Sequence, residues 1–363
     1  MNAHDRLYAV LHRRKPDRTP FAPGTHWVPR GDFEREMRNR GMGLFTDRAA
    51  LVWSEMPNVT FETHVEDTVT TTVVHTPEGV VTSWARTHLS RQATTGRRLL
   101  QEGYIKGPED YAPVISMIDD QIFHPDYQAY EWLVRDLGED GLVRAGGMTD
   151  PYQSAYYFAF GPSDPHGLER FVYHQVDYPS HFAQLIEALE RRNERIFPLI
   201  ADSPAEVIGL GDVDGEYGPR QYREYVAPFY EQYVPLLHQR GKILFNHAHS
   251  SHLKSYVDLL RDTDLDMIDA FTPPPVGDLS VAEARKAWGD EVIIAVNFPE
   301  SIFWEGSEAT KDYTLDLIRS DPTGLLIIGM TEVGTSMVTD DQMENAYKDG
   351  MRAIMDAIDE YWK

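Results

Sequence analysis

Short apolar runs rich in β-branched residues alternate along the chain with stretches whose apolar positions recur at helical spacing. The runs fall at 142–146, 206–210, 242–245, 266–271, 291–296 and 325–329. The stretches between and after them predict helices near 179–201, 219–240, 250–262, 280–288, 308–320 and 339–362. Pro228 and Pro235 predict a kink or break in the second of these. Strand alternating with helix reads as a parallel sheet with crossover helices. An opening strand at Pro20-Phe21-Ala22-Pro23 brings the candidate strands to seven. The even spacing through the carboxyl half favours a (β/α)8 TIM barrel, and with no eighth strand placed an open doubly wound α/β sheet stays beside it.

The segment 65–88 follows a different rhythm, alternating Thr and Val on either side of the turn signal Thr76-Pro77-Glu78-Gly79. It predicts an antiparallel hairpin inserted before the regular repeats, with too few apolar positions for a core of its own. No linker-like run or short repeat interrupts the chain, so 1–363 reads as a single domain.

Charge narrows the partners. Lys and Arg total 34 against 58 Asp and Glu, a formal net charge of -24, which repels nucleic acid and anionic membrane surfaces. The absence of cysteine removes disulfides, thiolate nucleophiles and Cys-ligated metals, leaving His and carboxylates as the available ligands. No signal-peptide pattern opens the chain and no stretch of 18 apolar residues occurs, so a cytoplasmic location is expected.

In an α/β barrel the chemistry sits at the carboxyl ends of the strands. There the sequence collects Asp212, Asp214 and Glu216; Asn246, His247 and His249; Asn297; and Glu332. His247 and His249 stand two apart, so a continuing strand would point both imidazoles to one face, as ligands of one metal require; Glu332 or Asp212 could add an oxygen. The alternative is that the histidines cap the following helix or bond to nearby backbone. Three carboxylates within five residues could raise one pKa and make Asp212 a general acid, or Asp214 and Glu216 could be solvated loop charges. Asp269 is the acid expected from its strand. His26, Trp27 and Tyr152 offer aromatic walls for a ring-containing ligand, or ordinary core. Gly-rich phosphate loops, G-x-S-x-G elbows and H-E-x-x-H pairs are absent, which sets aside nucleotide, serine-hydrolase and zincin chemistry.

The opening, Arg6-Leu7 through Arg13 and then Pro16-Asp17-Arg18-Thr19-Pro20, resembles that of uroporphyrinogen decarboxylase-like proteins. Thr76-Pro77-Glu78-Gly79, Gly211-Asp212 with Pro228, Gly241-Lys242 leading to His247, 266–278 and Glu283-Ala284-Arg285 continue the resemblance in order along nearly the whole chain. That superfamily comprises metal-free porphyrinogen decarboxylases and methyltransferases, many with zinc, that exchange a methyl group with a corrinoid on a separate protein. The chain departs from both. Phe21-Ala22-Pro23-Gly24-Thr25-His26 stands where the decarboxylases carry R-Q-A-G-R, and the similar 91–97 stretch lies after the hairpin. Where the zinc methyltransferases show H-x-C and a later Cys, His247 is kept, His249 replaces the first Cys and the Met330-Thr331-Glu332 region replaces the second. The corrinoid signature D-x-H-x-x-G is broken at Glu169, so any cobalamin would come on a partner protein.

The resemblance implies a corrinoid-dependent methyltransferase that demethylates a small methylated substrate, such as a methoxy aromatic. His247, His249 and Glu332 would hold Zn2+ and Asp212 would act as acid or ligand. His26, Trp27, Tyr152, Asp214, Glu216, Asp269 and Asn297 would surround the substrate. The alternative is a decarboxylase or lyase acting on a small carboxylated molecule, which a cluster of pocket arginines would favour. A third reading is a barrel that has lost catalysis and binds a small molecule or docks a corrinoid protein. Relatives commonly form dimers, so a homodimer is expected.

Overall fold

The computed structural model describes residues 1–46, 49–87, 99–147, 149–213, 217–248, 252–330, 338 and 340–363. Among the described residues the strands, in chain order, are β1 (Leu44–Phe45), β2 (Val52–Glu55), β3 (Thr60–Glu66), β4 (Val69–Thr76), β5 (Gly79–Arg86), β6 (Leu99–Glu102), β7 (Ile122–Pro125), β8 (Gly141–Leu142), β9 (Arg144–Gly146), β10 (Val207–Asp212), β11 (Ile243–His247), β12 (Met267–Phe271), β13 (Ile293–Asn297) and β14 (Leu326–Gly329).

Strands β9 to β14 form a six-stranded parallel sheet in strictly sequential order. A doubly wound sheet reverses its strand order at a switch point, and no reversal occurs here. Pairing continues past both edges. Phe21 bridges Ile328 in parallel, and the backbone N–H groups of Gly43 and Phe45 donate to the carbonyls of Phe21 and Pro23. Strand β1 then pairs in parallel with β8, and Ala49 bridges Ala145. The parallel pairing beyond the sheet thus runs through 43–46 and Ala49, where the two-residue strand is too short to show a period.

Residues along the sheet alternate between two cores. Val207, Ile243, Phe245, Met267, Ile293, Ala295, Leu325 and Ile327 share one cluster with Ala22 and Phe45. Ile208, Leu244, Ile268, Ile294, Leu326 and Ile328 share the larger cluster with the helices. The amphipathic helix Ala3–Leu11 sends Leu7, Val10 and Leu11 into the first cluster, which places it at the amino-terminal ends of the strands.

The helix Pro179–Ala201 has the predicted bounds, and helices are also found at Val281–Trp288, Ser307–Arg319 and Asp341–Tyr361. The 219–240 segment is divided into Pro219–Gln221, a π-helical turn Tyr222–Val226 and Ala227–His238. Pro228 has no N–H to give to the carbonyl four residues back, and the wider turn falls immediately before it. In the 250–262 region a 3-10 turn, Leu253–Tyr256, leads into the short helix Val257–Arg261. No described helix is long and apolar enough to cross a membrane.

The inserted hairpin is larger than its sequence suggests. Strands β3 to β6 form a four-stranded antiparallel sheet, with the predicted turn between β4 and β5. Strand β3 is exposed along its whole length and therefore carries no hydrophobic alternation. The sheet buries Val74 and Val81 in the same cluster as Tyr111 and Val114 of helix Tyr111–Asp119, so it rests on the main core.

The residues behind the family resemblance are largely structural ties. Arg6 donates to both carboxylate oxygens of Asp17, at 2.7 and 3.0 Å. Burial alone would raise the Asp17 pKa, but Arg6 and the N-terminal ammonium hold it down to about 2. Arg18 binds Asp359 on the last helix at 2.8 Å, Lys242 donates to the carbonyls of Ser203 and Ala205, and Arg285 forms a buried ion pair with Asp321.

Candidate active site

Alternation along the parallel strands decides which side chains enter the site. Phe245, Met267 and Ala295 belong to the inner cluster, so the next positions of the same parity, His247, Asp269 and Asn297, also face inward. Arg144 is in register with the inward Val207. The apolar inner core thus changes to polar groups where β11, β12 and β13 end.

Asp269 joins three strands through one oxygen. Its Oδ2 accepts from Arg144 Nη1 at 2.7 Å and lies 3.0 Å from His247 Nδ1. Arg144 also donates through Nε to the Thr46 carbonyl at 2.6 Å and through Nη2 to the Phe45 carbonyl at 3.3 Å, and its guanidinium lies 4.6 Å from the Phe45 ring centre. The Arg144 and Asp269 side chains are 8% and 7% exposed, whereas the His247 ring is 19% exposed. The ion pair is thus sealed while the imidazole reaches the rim. A small cavity lined by Arg144, Asp269, Ala270 and Met330 opens beside them.

Two backbone irregularities shape this rim. Strands β10 and β12 each shift register at their carboxyl ends, around Gly211 and Ala270, which have φ of 63° and 53°. Such bulges re-aim side chains near functional sites. A Cβ at Gly211 would lie 2.8 Å from the Tyr230 hydroxyl, so this position needs glycine for space as well as for φ.

Asp212, at the end of β10, stands in register with His247 and is partly exposed. Gln153 grips its peptide in both directions: Oε1 accepts from the Asp212 N–H at 3.2 Å, and Nε2 donates to its carbonyl at 3.4 Å. Gln153 is itself placed by Asp150, whose Oδ1 accepts the Gln153 N–H at the start of helix Pro151–Ala155. Asn297 donates to Thr272 Oγ1 at 3.0 Å.

Placement differs among the other predicted residues. His26 and Trp27 form a 3-10 turn after the first extended segment, His26 exposed and Trp27 half-buried. Tyr152 is 1% exposed and packs edge-on against Phe171 and stacked on Tyr225, with its hydroxyl on Gln175; it belongs to the core rather than to a pocket wall. Asp214, Glu216, His249 and Glu332 lie outside the described residues. Sequence reasoning missed Arg144, Gln153 and Asp150. A charged residue in the apolar run Leu142-Val143-Arg144-Ala145-Gly146 was the available signal for the first.

Behind Asp212 lies a buried polar group. Asp150 is fully buried, and among the described residues its Oδ2, the Tyr222 hydroxyl and Asn246 Oδ1 have no hydrogen-bond partner. Desolvation pushes the Asp150 carboxyl up to about 7 against the pull of backbone N–H groups, with the Asp212 charge adding to the rise. The other groups that interact electrostatically with it are Arg192, Tyr222 and Tyr230. Because the folded pKa exceeds the unfolded one, the folded state holds more protons in between, so this contribution is complete below about pH 4 and is lost as pH rises through about 7. Asp150→Asn, which keeps the capping oxygen, is expected to flatten the fall in stability between pH 5 and pH 8. Urea midpoints of both proteins at the two pH values measure this, and parallel pH dependences would contradict it.

No family model and no curated protein matches the chain. Among solved structures, a methyltransferase from Methanosarcina mazei aligns over 100% of both chains at 11% identity, with a TM-score of 0.56. A B12-independent methionine synthase from Shewanella sp. W3-18-1 aligns over 96% of this chain and 95% of its own at 11% identity, with a TM-score of 0.41. A psychrophilic glycoside hydrolase family 10 endo-beta-1,4-xylanase aligns over 62% of this chain and 82% of its own at 10% identity, with a TM-score of 0.33. At these identities, the likeness to the Methanosarcina mazei methyltransferase is one of fold, and it runs the full length of both chains.

Proposed function

We propose that this chain is a methyl-transfer enzyme of the uroporphyrinogen decarboxylase-like superfamily, built as a (β/α)8 barrel. The reading is supported by the pairings through 20–23 and 43–46, two segments that would complete eight strands around the inner core. Its substrate would be a small methylated molecule, such as a methoxy aromatic, and its acceptor a corrinoid carried by a partner protein. Assembly as a homodimer belongs to the same proposal.

The observation that carries the reading is the contact of His247 Nδ1 with Asp269. A carboxylate on one ring nitrogen fixes the imidazole's orientation and raises the basicity of the other, which suits both proton transfer and metal ligation. In the reaction the methyl carbon–oxygen bond breaks, the electron pair stays on oxygen and the methyl group forms a bond to the nucleophilic acceptor. Without a metal, His247 gives the leaving oxygen its proton through Nε2; were Nε2 to hold a metal, Asp212, in register with His247, would be the acid.

Zinc, if bound by His247, His249 and Glu332, would polarise the ether oxygen as a Lewis acid. Among the described residues no group of three or more His, Asp or Glu is placed to hold a metal, so the described donors alone do not complete this set and no step is routed through it. Elemental analysis of the purified protein and of a His247→Ala/His249→Ala variant tests the metal part of the proposal. Near-stoichiometric zinc that the variant loses is the expected result. Metal-free protein that resists reconstitution would remove the metal.

The lyase reading calls for arginines that hold a substrate carboxylate. Arg144 enters the site, but its guanidinium is engaged by Asp269 and two backbone carbonyls, which favours methyl transfer over decarboxylation.

A further inference from the structure

Three buried oxygens cluster behind Asp212. Asp150, Tyr222 and Asn246 are each 0% exposed, and it is their Oδ2, hydroxyl and Oδ1 atoms that have no hydrogen-bond partner among the described residues. They come from three elements: the N-cap of helix Pro151–Ala155, the π-helical turn Tyr222–Val226 and strand β11. Gly211 marks where they converge. A Cβ there would lie 3.6 Å from Asn246 Nδ2 and 3.8 Å from Asp150 Oδ2. Tyr222 stacks on Tyr230, with ring centres 6.3 Å apart, and its hydroxyl feels the Asp150 charge.

The hydrogens around these oxygens are already assigned. Asn246 Nδ2 donates to the Leu210 carbonyl at 3.2 Å and to the Tyr230 hydroxyl at 2.6 Å, and that hydroxyl donates to the same carbonyl at 3.0 Å. Turning the Asn246 amide over would set its oxygen against the Leu210 carbonyl, so the direction of Oδ1 is fixed. Asp150 Oδ1 accepts the Gln153 N–H. Two acceptors remain, Asp150 Oδ2 and Asn246 Oδ1, and one O–H, on Tyr222, that can serve only one of them. Buried polar groups are nearly always paired, and enclosed water completes the pairing where side chains leave a remainder.

We propose that one buried water molecule binds here, donating its two hydrogens to Asp150 Oδ2 and Asn246 Oδ1 and accepting from the Tyr222 hydroxyl. About three bonds is the usual complement of an enclosed water. A metal cation such as calcium takes lone pairs from roughly six to eight oxygens; three are on offer, and the Arg192 charge already acts on the same carboxylate. The water joins elements that carry the candidate site. Asp150 caps the helix whose Gln153 holds the Asp212 peptide, and Asn246 directly precedes His247.

The site does not rest on the methyl-transfer reading. Its test is an atomic-resolution crystal structure of the full chain soaked in a thallium(I) salt, whose anomalous signal marks any monovalent-cation site, together with oxygen-17 relaxation dispersion in solution. One ordered water about 2.6–3.2 Å from all three oxygens, without thallium signal, is expected. Tyr222→Phe removes only the donor and should shorten the residence time of one buried water by about five- to tenfold, the scale of one hydrogen bond. The wild-type crystal decides occupancy even if the variant does not fold. An empty site, a direct bond from Tyr222 to Asp150 or Asn246 with no water between them, a thallium peak, or residence times unchanged in a folded Tyr222→Phe would overturn the proposal.

Discussion

Asp269→Ala is expected to lower the unfolding free energy by about 3–5 kcal/mol, the usual cost of stranding one partner of a buried ion pair. Both side chains of the Arg144–Asp269 pair are less than a tenth exposed, so water cannot replace the lost carboxylate. The carbonyls of Thr46 and Phe45 still accept from the guanidinium, but they carry no formal charge. The double variant Arg144→Leu/Asp269→Leu removes both charges and should be less destabilised than the single one, because apolar replacements of whole buried pairs are often tolerated. Urea unfolding with unchanged m-values measures the difference. A single-variant loss below about 1 kcal/mol, the scale of an exposed pair, would mean that Arg144 is solvated and that the site is open to water from below.

The second large effect falls on rate. His247→Gln should reduce methyl transfer by about 10²–10⁴-fold, the scale for losing a positioned acid–base group, while leaving the fold intact because the ring is at the rim. Asp269→Asn should share much of that loss, since an amide no longer anchors the imidazole with a charge. Because the two residues act as a unit, their combined loss should be smaller than the product of the single losses. A His247→Gln rate within tenfold of the wild type would remove His247 from the chemistry.

Legibility followed the physics of each segment. The six-stranded sheet could be read because buried parallel strands are uninterrupted apolar runs, and its strands follow in sequential order. The pairing segment 43–46 could not be read, because Leu44–Phe45 is two residues long and is identified only by hydrogen bonds to distant carbonyls. Strand β3 was hidden because it has no buried face. At the site, His247, Asp269 and Asn297 followed from strand-end position alone. Their partnership with Arg144 did not, since contacts between strands 125 residues apart leave no local pattern. Tyr152 shows the converse, an aromatic cluster whose sequence is the same whether it lines a pocket or fills a core.

The central claim, methyl transfer rather than decarboxylation, is tested most directly by following carbon-13. The purified protein would be incubated with methoxy-labelled aromatics and a reduced cobalamin acceptor, and in parallel with carboxyl-labelled analogues, and the label followed by NMR. Movement of the methoxy label to the acceptor, with the demethylated phenol as co-product, is the expected result. Release of labelled carbon dioxide with no methyl movement would contradict the account and place the lyase reading first.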